Sequence, residues 1–301
     1  MKKIVIVAGP TASGKSDVAV RLAKKYNGEI ISCDSMQIYK GLDVGTAKIS
    51  EQEKQGVKHY MIDVAEPSQE YSVFDYAEGA KAAIEQITSQ GKLPIVVGGT
   101  GLYAESLIYP LNFAVNKDEA VRERLKEELA RDGAEKLHER LAMYDPEDAA
   151  KIHPNNTKRL IRALEIIEIS GEAKRKTELR KPQYDVCMIA LDLPRDELYK
   201  RIDSRVERMF AQGLEAEVRG IIANGFADEN SQSMQAIGYK EFFSYFNGEI
   251  SADEVKSQIK QNSRRYAKRQ ISWFKRYKFA FRANPRDEKA IEEKIDEFLR
   301  G

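Results

Sequence analysis

Cysteine is scarce. Cys33 and Cys187 are the only two in 301 residues, and they lie far apart. That leaves no disulfide framework and no zinc-ligand spacing, and it fits a reducing cytoplasm. Histidine is nearly as rare. His59, His138 and His153 show neither triad nor ligand spacing and read as structural or surface residues. One-signed charge is missing too. Forty-nine Lys and Arg against 48 Asp and Glu leave a net +1, so any nucleic-acid footprint must be local. No apolar run approaches the length of a bilayer span, so no membrane partner is expected. The basic-then-apolar start, Met1 to Ala8, is too short for a signal peptide and runs straight into Gly9-Pro10-Thr11. Internal repeats and low-complexity tracts are also absent. What remains, 42% hydrophobic and 32% charged, is the balance of a soluble globular chain with material for a core.

The patterning is that of an α/β protein. Lys3–Ala8 is a continuous β-branched run, as in a strand buried on both faces. A glycine loop follows, then a helix from Asp17 to Tyr26. Short strands are predicted at 29–33 and 93–97, with a helix over 74–90 between them. This alternation predicts a parallel sheet with crossover helices, in which ligands sit at the carboxyl ends of the strands. The composition shifts near residue 115. From Lys117 to about Arg180 the chain is charged and helix-forming, with helices expected at 121–131, 134–142, 146–152 and 157–169. Val186–Leu191 then reads as a strand rejoining the sheet, followed by helical stretches at 195–223, 236–247 and 252–278. The expected organisation is a core of 1–115 with 185–301, and a helical insertion of 116–184.

Gly9-Pro10-Thr11-Ala12-Ser13-Gly14-Lys15-Ser16 fits G-x-x-x-x-G-K-[ST], with a strand before it and a helix after it. Glycines let the backbone wrap a phosphate, loop N–H groups point at it, and the helix adds its positive end. Lys15 brings a charge to the phosphates, and Ser16 is placed to ligate Mg²⁺. The motif identifies a phosphate site without naming a reaction. The third strand ends in Gly98-Gly99-Thr100-Gly101 and not in a plain Walker-B aspartate, which argues against a motor-type NTPase. A small-molecule kinase using ATP remains an alternative.

Asp34 follows the second strand, in Ser32-Cys33-Asp34-Ser35-Met36-Gln37-Ile38-Tyr39. A carboxylate there can take a proton from an incoming nucleophile, or hold a metal-bound water, or simply cap a turn. Asp43, Asp63 and Asp75 are less well placed.

These motifs, taken in order, resemble the tRNA dimethylallyltransferase (tRNA isopentenyltransferase) family. The resemblance rests on Gly9–Ser16, Asp34–Lys48, His59–Val64, Gly98–Tyr103, Asn155–Glu165 and Gln235–Glu241, and runs to about Trp273. It implies a P-loop NTPase-like fold whose loop holds the diphosphate of dimethylallyl diphosphate rather than ATP. The acceptor it implies is N6 of the adenosine just 3′ of the anticodon, tRNA position 37. Diphosphate is released and N6-isopentenyladenosine is formed.

The implied roles follow residue by residue. Asp34 is the general base, and Thr100 lies near the diphosphate and the reacting amine. Lys15, Arg205 and a Mg²⁺ on Ser16 hold the leaving anion. The target base must be flipped outward to be reached. Asp34, Ser35, Met36 and Gln37 would grip it, with the Gln37 amide able to make two bonds to adenine. In the insertion, Lys158-Arg159-Leu160-Ile161-Arg162 corresponds to a tRNA-contacting segment, directed at the anticodon stem-loop. The enzyme is expected to act as a cytoplasmic monomer.

The last long helix adds a local signal. Lys256, Lys260, Arg264, Arg265, Lys268, Arg269, Lys275, Arg276 and Lys278 occur without an intervening acid. Such a stripe attracts phosphates in a salt-dependent way. Tyr266, Trp273, Phe274 and Tyr277 are interleaved at helical spacing. They read as core, so the charges rather than the rings are assigned to RNA.

Overall fold

The computed structural model describes residues 1–110, 118–171 and 181–301. Its elements run β1 (Lys3–Ala8), α1 (Lys15–Lys25), β2 (Gly28–Cys33), α2 (Glu51–Lys54), β3 (His59–Tyr60), α3 (Val73–Ser89), β4 (Leu93–Gly98) and α4 (Gly101–Ile108). Next come α5 (Glu119–Asp132), α6 (Ala134–Tyr144), α7 (Pro146–Ala149) and α8 (Thr157–Ser170). The chain continues through β5 (Asp185–Leu191), α9 (Arg195–Ala211), α10 (Leu214–Ala223), α11 (Glu241–Phe246), α12 (Ala252–Phe274), β6 (Phe281–Ala283) and α13 (Glu288–Arg300).

Six strands form one parallel sheet in the order β3-β2-β4-β1-β5-β6. β1 is central and its residues alternate between two apolar layers. Val5 and Val7 pack with Val18, Leu22, Ile95 and Ile291, while Ile4 and Ile6 pack with Ile84, Val96, Leu107 and Phe274. Burial on both faces explains why this strand is a continuous apolar run rather than an alternating one. Each such Val or Ile contributes about 1.5–3 kcal/mol by leaving water.

The register aligns the strand ends. Ala8 pairs with Gly98 and with Ala190, and Cys33 pairs with Gly98. Gly9, Asp34 and Gly99 therefore leave the sheet side by side. The α/β, P-loop-like parallel core inferred from the sequence is the observed architecture.

The chain divides into two compact units, one of Met1–Tyr109 with Pro182–Gly301 and one of Pro110–Lys181. In the smaller unit, α5, α6, α7 and α8 bury Leu125, Leu137, Leu141, Leu160 and Leu164 together. Glu165, fully buried there, accepts from Asp118 N–H, from Arg122 and from Arg162. Lys117 and Arg180, between which the sequence places the helical insertion, lie outside the described residues.

Several boundaries differ from the expectation. The stretch 195–223 is two helices, because Gly213 takes φ +91° between them. Helix 236–247 begins only at Glu241, and helix 252–278 stops at Phe274. Asp75 turns out to be a capping residue. It completes a reciprocal cap with Ser72 at the start of α3. Asp43 and Asp63 both pair with Lys48.

Candidate functional site

The phosphate loop leaves β1 at Gly9. A Cβ at that position would lie 3.0 Å from the Leu191 carbonyl. Ala12 and Gly14 take positive φ, +62° and +85°, and Gly14 occupies the cap position of α1 without a side-chain cap. The first-turn amides of α1 thus face a ligand position uncapped, as in an anion site. Two of the loop amides have protein partners. Ser13 N–H reaches the Pro10 carbonyl at 3.3 Å. Thr11 N–H donates to Gln270 Oε1 at 2.8 Å and is already engaged. Ser13 is fully buried and Ser16 exposed.

Lys15 Nζ folds back to donate to the Pro10 carbonyl at 2.7 Å. Burial lowers its pKa to about 8, the nearby Arg205 guanidinium adding to the shift and Asp34 opposing it. Arg205 is itself shifted downward, chiefly by burial and against the pull of Asp34. Two desolvated cations beside one carboxylate make a site that gains from an incoming anion.

Asp34 serves a turn with one oxygen. Its Oδ1 accepts from Met36 N–H at 2.9 Å and Gln37 N–H at 3.4 Å. Thr100 stands at the start of α4 but does not cap it with its side chain. Instead its Oγ1 accepts Ser35 N–H at 3.0 Å, and its own N–H donates to Cys33 O at 3.1 Å. The two strand ends are thereby tied together, holding Asp34 and Thr100 near each other. Gln37 reaches Ser32 Oγ and the Thr46 carbonyl, both at 3.4 Å, so its amide already has protein partners.

Three adjoining cavities open here, of about 600, 270 and 80 Å³. Arg205 lines all three. The smallest is shared by Lys15, Ser16, Asp34, Thr11 and Tyr266. The largest continues from Lys15 and Ser16 along α9 past Lys200, Arg201 and Arg208. The third joins Asp34, Ser35 and Met36 to apolar Met209, Ile237 and Ile259.

Sequence reading missed two residues of this site. Gln270, on α12, is buried and donates from Nε2 to Gly99 O at 3.1 Å while accepting from Thr11. Tyr266 lies one turn earlier on the same face. Burial and the charge of Asp34 raise its pKa to about 12, against hydrogen bonds with Thr100 and Gln270. A polar Gln within the buried stripe Ile259, Ala267, Gln270, Phe274 was the available signal. Of the four aromatics assigned to the core, Phe274 and Tyr277 are buried there and Trp273 packs against it. Tyr266 instead faces the site.

The three histidines are anchored locally. His59 lines the smallest cavity with Nδ1 2.9 Å from Val57 O, and burial lowers its pKa. His138 Nε2 bonds Ala149 O and Ile152 O, and His153 Nδ1 accepts Asn155 N–H.

The remaining RNA-contact candidates divide. In α8, Lys158 and Arg159 are exposed, Ile161 is half-buried, and Arg162 is paired with Glu165 at 2.8 Å. Leu160 is fully buried in that unit's core, so its part is packing and not contact with RNA. The basic stripe of α12 is also partly spent. Lys256 and Lys260 pair with Glu207, Arg264 with Asp203, and Arg276 with Glu105. Arg265, Lys268, Arg269, Lys275 and Lys278 are exposed and form no ion pair among the described residues. The acids missing from the run between Lys256 and Lys278 arrive from α9 and α4.

Ser16 and Asp34 offer a hydroxyl and a carboxylate to the smallest cavity. Among the described residues no three His, Cys, Asp or Glu come together as a metal cage. That donor set fits a hard cation held mainly by substrate phosphates and water, the habit of Mg²⁺.

The sequence model of the IPP transferase family matches residues 37–277. The tRNA dimethylallyltransferase of Geobacillus thermodenitrificans is 49% identical, over 91% of this chain and 88% of its own. That of Bacillus subtilis is 48% identical, over 90% and 87%. The crystal structure of a full-length tRNA isopentenylpyrophosphate transferase from Bacillus halodurans superposes with TM-score 0.75 at 41% identity, covering 100% of this chain and 99% of the other. A eukaryotic dimethylallyltransferase captured acting on tRNA gives TM-score 0.83 at 28% identity, covering 99% and 78%.

Proposed function

The chain belongs to the IPP transferase family, and from that premise we propose how its residues carry the reaction of a tRNA-modifying prenyltransferase. It is an enzyme that transfers a dimethylallyl group to tRNA. The donor is dimethylallyl diphosphate, and the acceptor is N6 of the adenosine 3′ of the anticodon. The observation that carries this reading is the meeting of Lys15, Arg205 and Asp34 around one small cavity at the carboxyl edge of the sheet.

The loop amides, Lys15 and Arg205 bind the diphosphate. They stabilise the negative charge that grows on it as the allylic C–O bond breaks. The adenine amine attacks the allylic carbon, the C–N bond forms, and the amine's proton passes to the carboxylate of Asp34. Oδ2 of Asp34 is the receiving atom, since Oδ1 accepts from the Met36 and Gln37 amides. Thr100, fixed by Ser35 N–H, holds the amine beside the carboxylate. Ser16 would hold Mg²⁺, which when bound neutralises charge on the diphosphate. Ser35, Met36 and Gln37 contact the flipped base. Lys158 and Arg159, with the insertion 116–184 that carries them, are directed at the anticodon stem-loop. We further read the enzyme as a cytoplasmic monomer, a setting that fits its two buried free thiols.

The test is a paired incubation of the purified chain and bulk tRNA with labelled dimethylallyl diphosphate or labelled ATP, followed by mass spectrometry of the nucleosides. Isopentenyladenosine formed from the allylic donor alone is expected. Label entering only from ATP overturns the reading.

A further inference from the structure

The segment from Asp43 to Ala47 is held by a carboxylate distant in sequence. Glu217, on α10, accepts N–H from Asp43 at 3.0 Å, Val44 at 2.7 Å and Gly45 at 3.1 Å, and the Tyr239 hydroxyl at 2.6 Å. Four donors on one carboxylate make a charge-assisted cradle, stronger than the same bonds to a neutral acceptor. The packing admits little change. Tyr239 is fully buried, and a Cβ on Gly45 would meet its ring at 2.4 Å. The turn is closed further by Thr46 Oγ1 on Leu42 O at 2.6 Å and by Ala47 at φ +44°. From the other side, Lys48 Nζ binds Tyr39 O and pairs with Asp43 and Asp63.

The segment lines the cavities with Gly45, Thr46 and Ala47, and its contact with Arg205 is the Thr46 carbonyl, which Gln37 Nε2 also reaches at 3.4 Å. The Thr46 carbonyl accepts from Arg205 Nη2 at 2.7 Å. Arg205 is the residue that lines all three cavities. A guanidinium on a long side chain has several rotamers, and fixing one of its nitrogens sets the plane of the rest. We propose that Glu217 is a positioning residue, which acts through the Asp43–Ala47 turn and the Thr46 carbonyl to aim Arg205 at the diphosphate. The proposal rests on the assignment of Arg205 to the diphosphate made above.

The test is a double-mutant cycle read by calorimetric binding of inorganic pyrophosphate in Mg²⁺ buffer. Arg205→Ala alone is expected to weaken binding on the order of a hundredfold, and Glu217→Gln alone about tenfold. The double variant is expected to bind no worse than Arg205→Ala. Tyr239→Phe removes one donor and keeps the packed ring, so it guards against loss of fold. It should weaken pyrophosphate about threefold in the parent and leave Arg205→Ala unchanged. The arginine side-chain resonance assigned to Arg205 by its loss in Arg205→Lys should broaden in Glu217→Gln, a signature that mere loss of stability would not produce. Full additivity of Glu217→Gln and Arg205→Ala overturns the proposal, as does parent-like affinity in Glu217→Gln. If Arg205→Ala itself binds pyrophosphate normally, the diphosphate assignment fails first and this inference falls with it.

Discussion

Gln270 accepts the Thr11 amide at 2.8 Å and donates to the Gly99 carbonyl at 3.1 Å, so one buried side chain joins the phosphate loop to the turn that carries Thr100. Little room is left around it, since a Cβ on Gly99 would stand 2.0 Å from its Nε2. Gln270→Met keeps the volume and removes both bonds. It should lower stability by about 1–3 kcal/mol, the cost of orphaned buried groups, and reduce kcat/KM at least tenfold as the loop loosens. Gln270→Glu keeps the acceptor for Thr11 but opposes the Gly99 carbonyl and brings a negative charge towards the diphosphate. It should therefore bind pyrophosphate worse than Gln270→Met. Urea unfolding and pyrophosphate titration of the two variants check both statements.

The proposed base role of Asp34 and its part in the turn can be separated by two substitutions. Asp34→Asn retains an oxygen for the Met36 and Gln37 amides but cannot take a proton. Its melting temperature should stay near the parent's while kcat falls roughly 10²–10⁴-fold. Asp34→Ala loses the turn acceptor as well and should be less stable by about 1 kcal/mol. Binding of tRNA should survive in both. Single-turnover kinetics with saturating tRNA is the measurement, and near-parent turnover in Asp34→Asn would remove it as the base.

The sheet was legible because buried strands write themselves as apolar runs. Lys3–Ala8, Leu93–Gly98 and Asp185–Leu191 are such runs, each followed by a change of composition. β3 and β6, of two and three residues, are too short to carry a period, and α13 was not anticipated. Asp34, Thr100 and Lys15 stand out in the sequence because strand ends and the glycine loop mark them. Gln270, Tyr266 and Glu217 meet Thr11, Thr100 and Gly45 from far along the sequence, and only the folded chain brings those together. The pairing of charges was hidden for the same reason. The acid-free stripe of α12 is half neutralised by Glu207, Asp203 and Glu105 from other helices.

Lys15 gives the site a pH dependence. In the free protein its pKa is lowered from 10.5 to about 8, and a bound diphosphate favours the protonated form. Affinity for pyrophosphate should be level below about pH 8 and fall above it, approaching tenfold per pH unit. Lys15→Met should bind weakly at every pH and lose that dependence. The sign for folding is opposite. A lysine whose pKa is lower folded than unfolded binds fewer protons in the folded state between about 8 and 10.5. Its contribution therefore rises with pH across that window and is most unfavourable below it. Lys15→Met should be at least as stable as the parent at pH 7, which thermal melting across pH 6–10 would show.

The basic stripe divides into spent and free charges, and salt can tell them apart. Lys256 and Lys260 share Glu207, so Lys260→Ala trades one internal partner and should leave tRNA affinity within about twofold. Lys268 and Arg269 are exposed, with no acid paired to them among the described residues. Each phosphate they neutralise releases counterions, so replacing both with Ala should weaken tRNA binding and flatten the plot of log K against log salt by about 1.5–2. Arg269 also lies 5.6 Å over the Tyr266 ring, beside the reacting groups. Arg269→Lys, which keeps the charge but not the planar fork, should preserve the salt slope while lowering kcat/KM. If the double Ala variant keeps the parent's salt slope, α12 does not face RNA phosphates, and the footprint must then lie with Lys158, Arg159 or another basic surface.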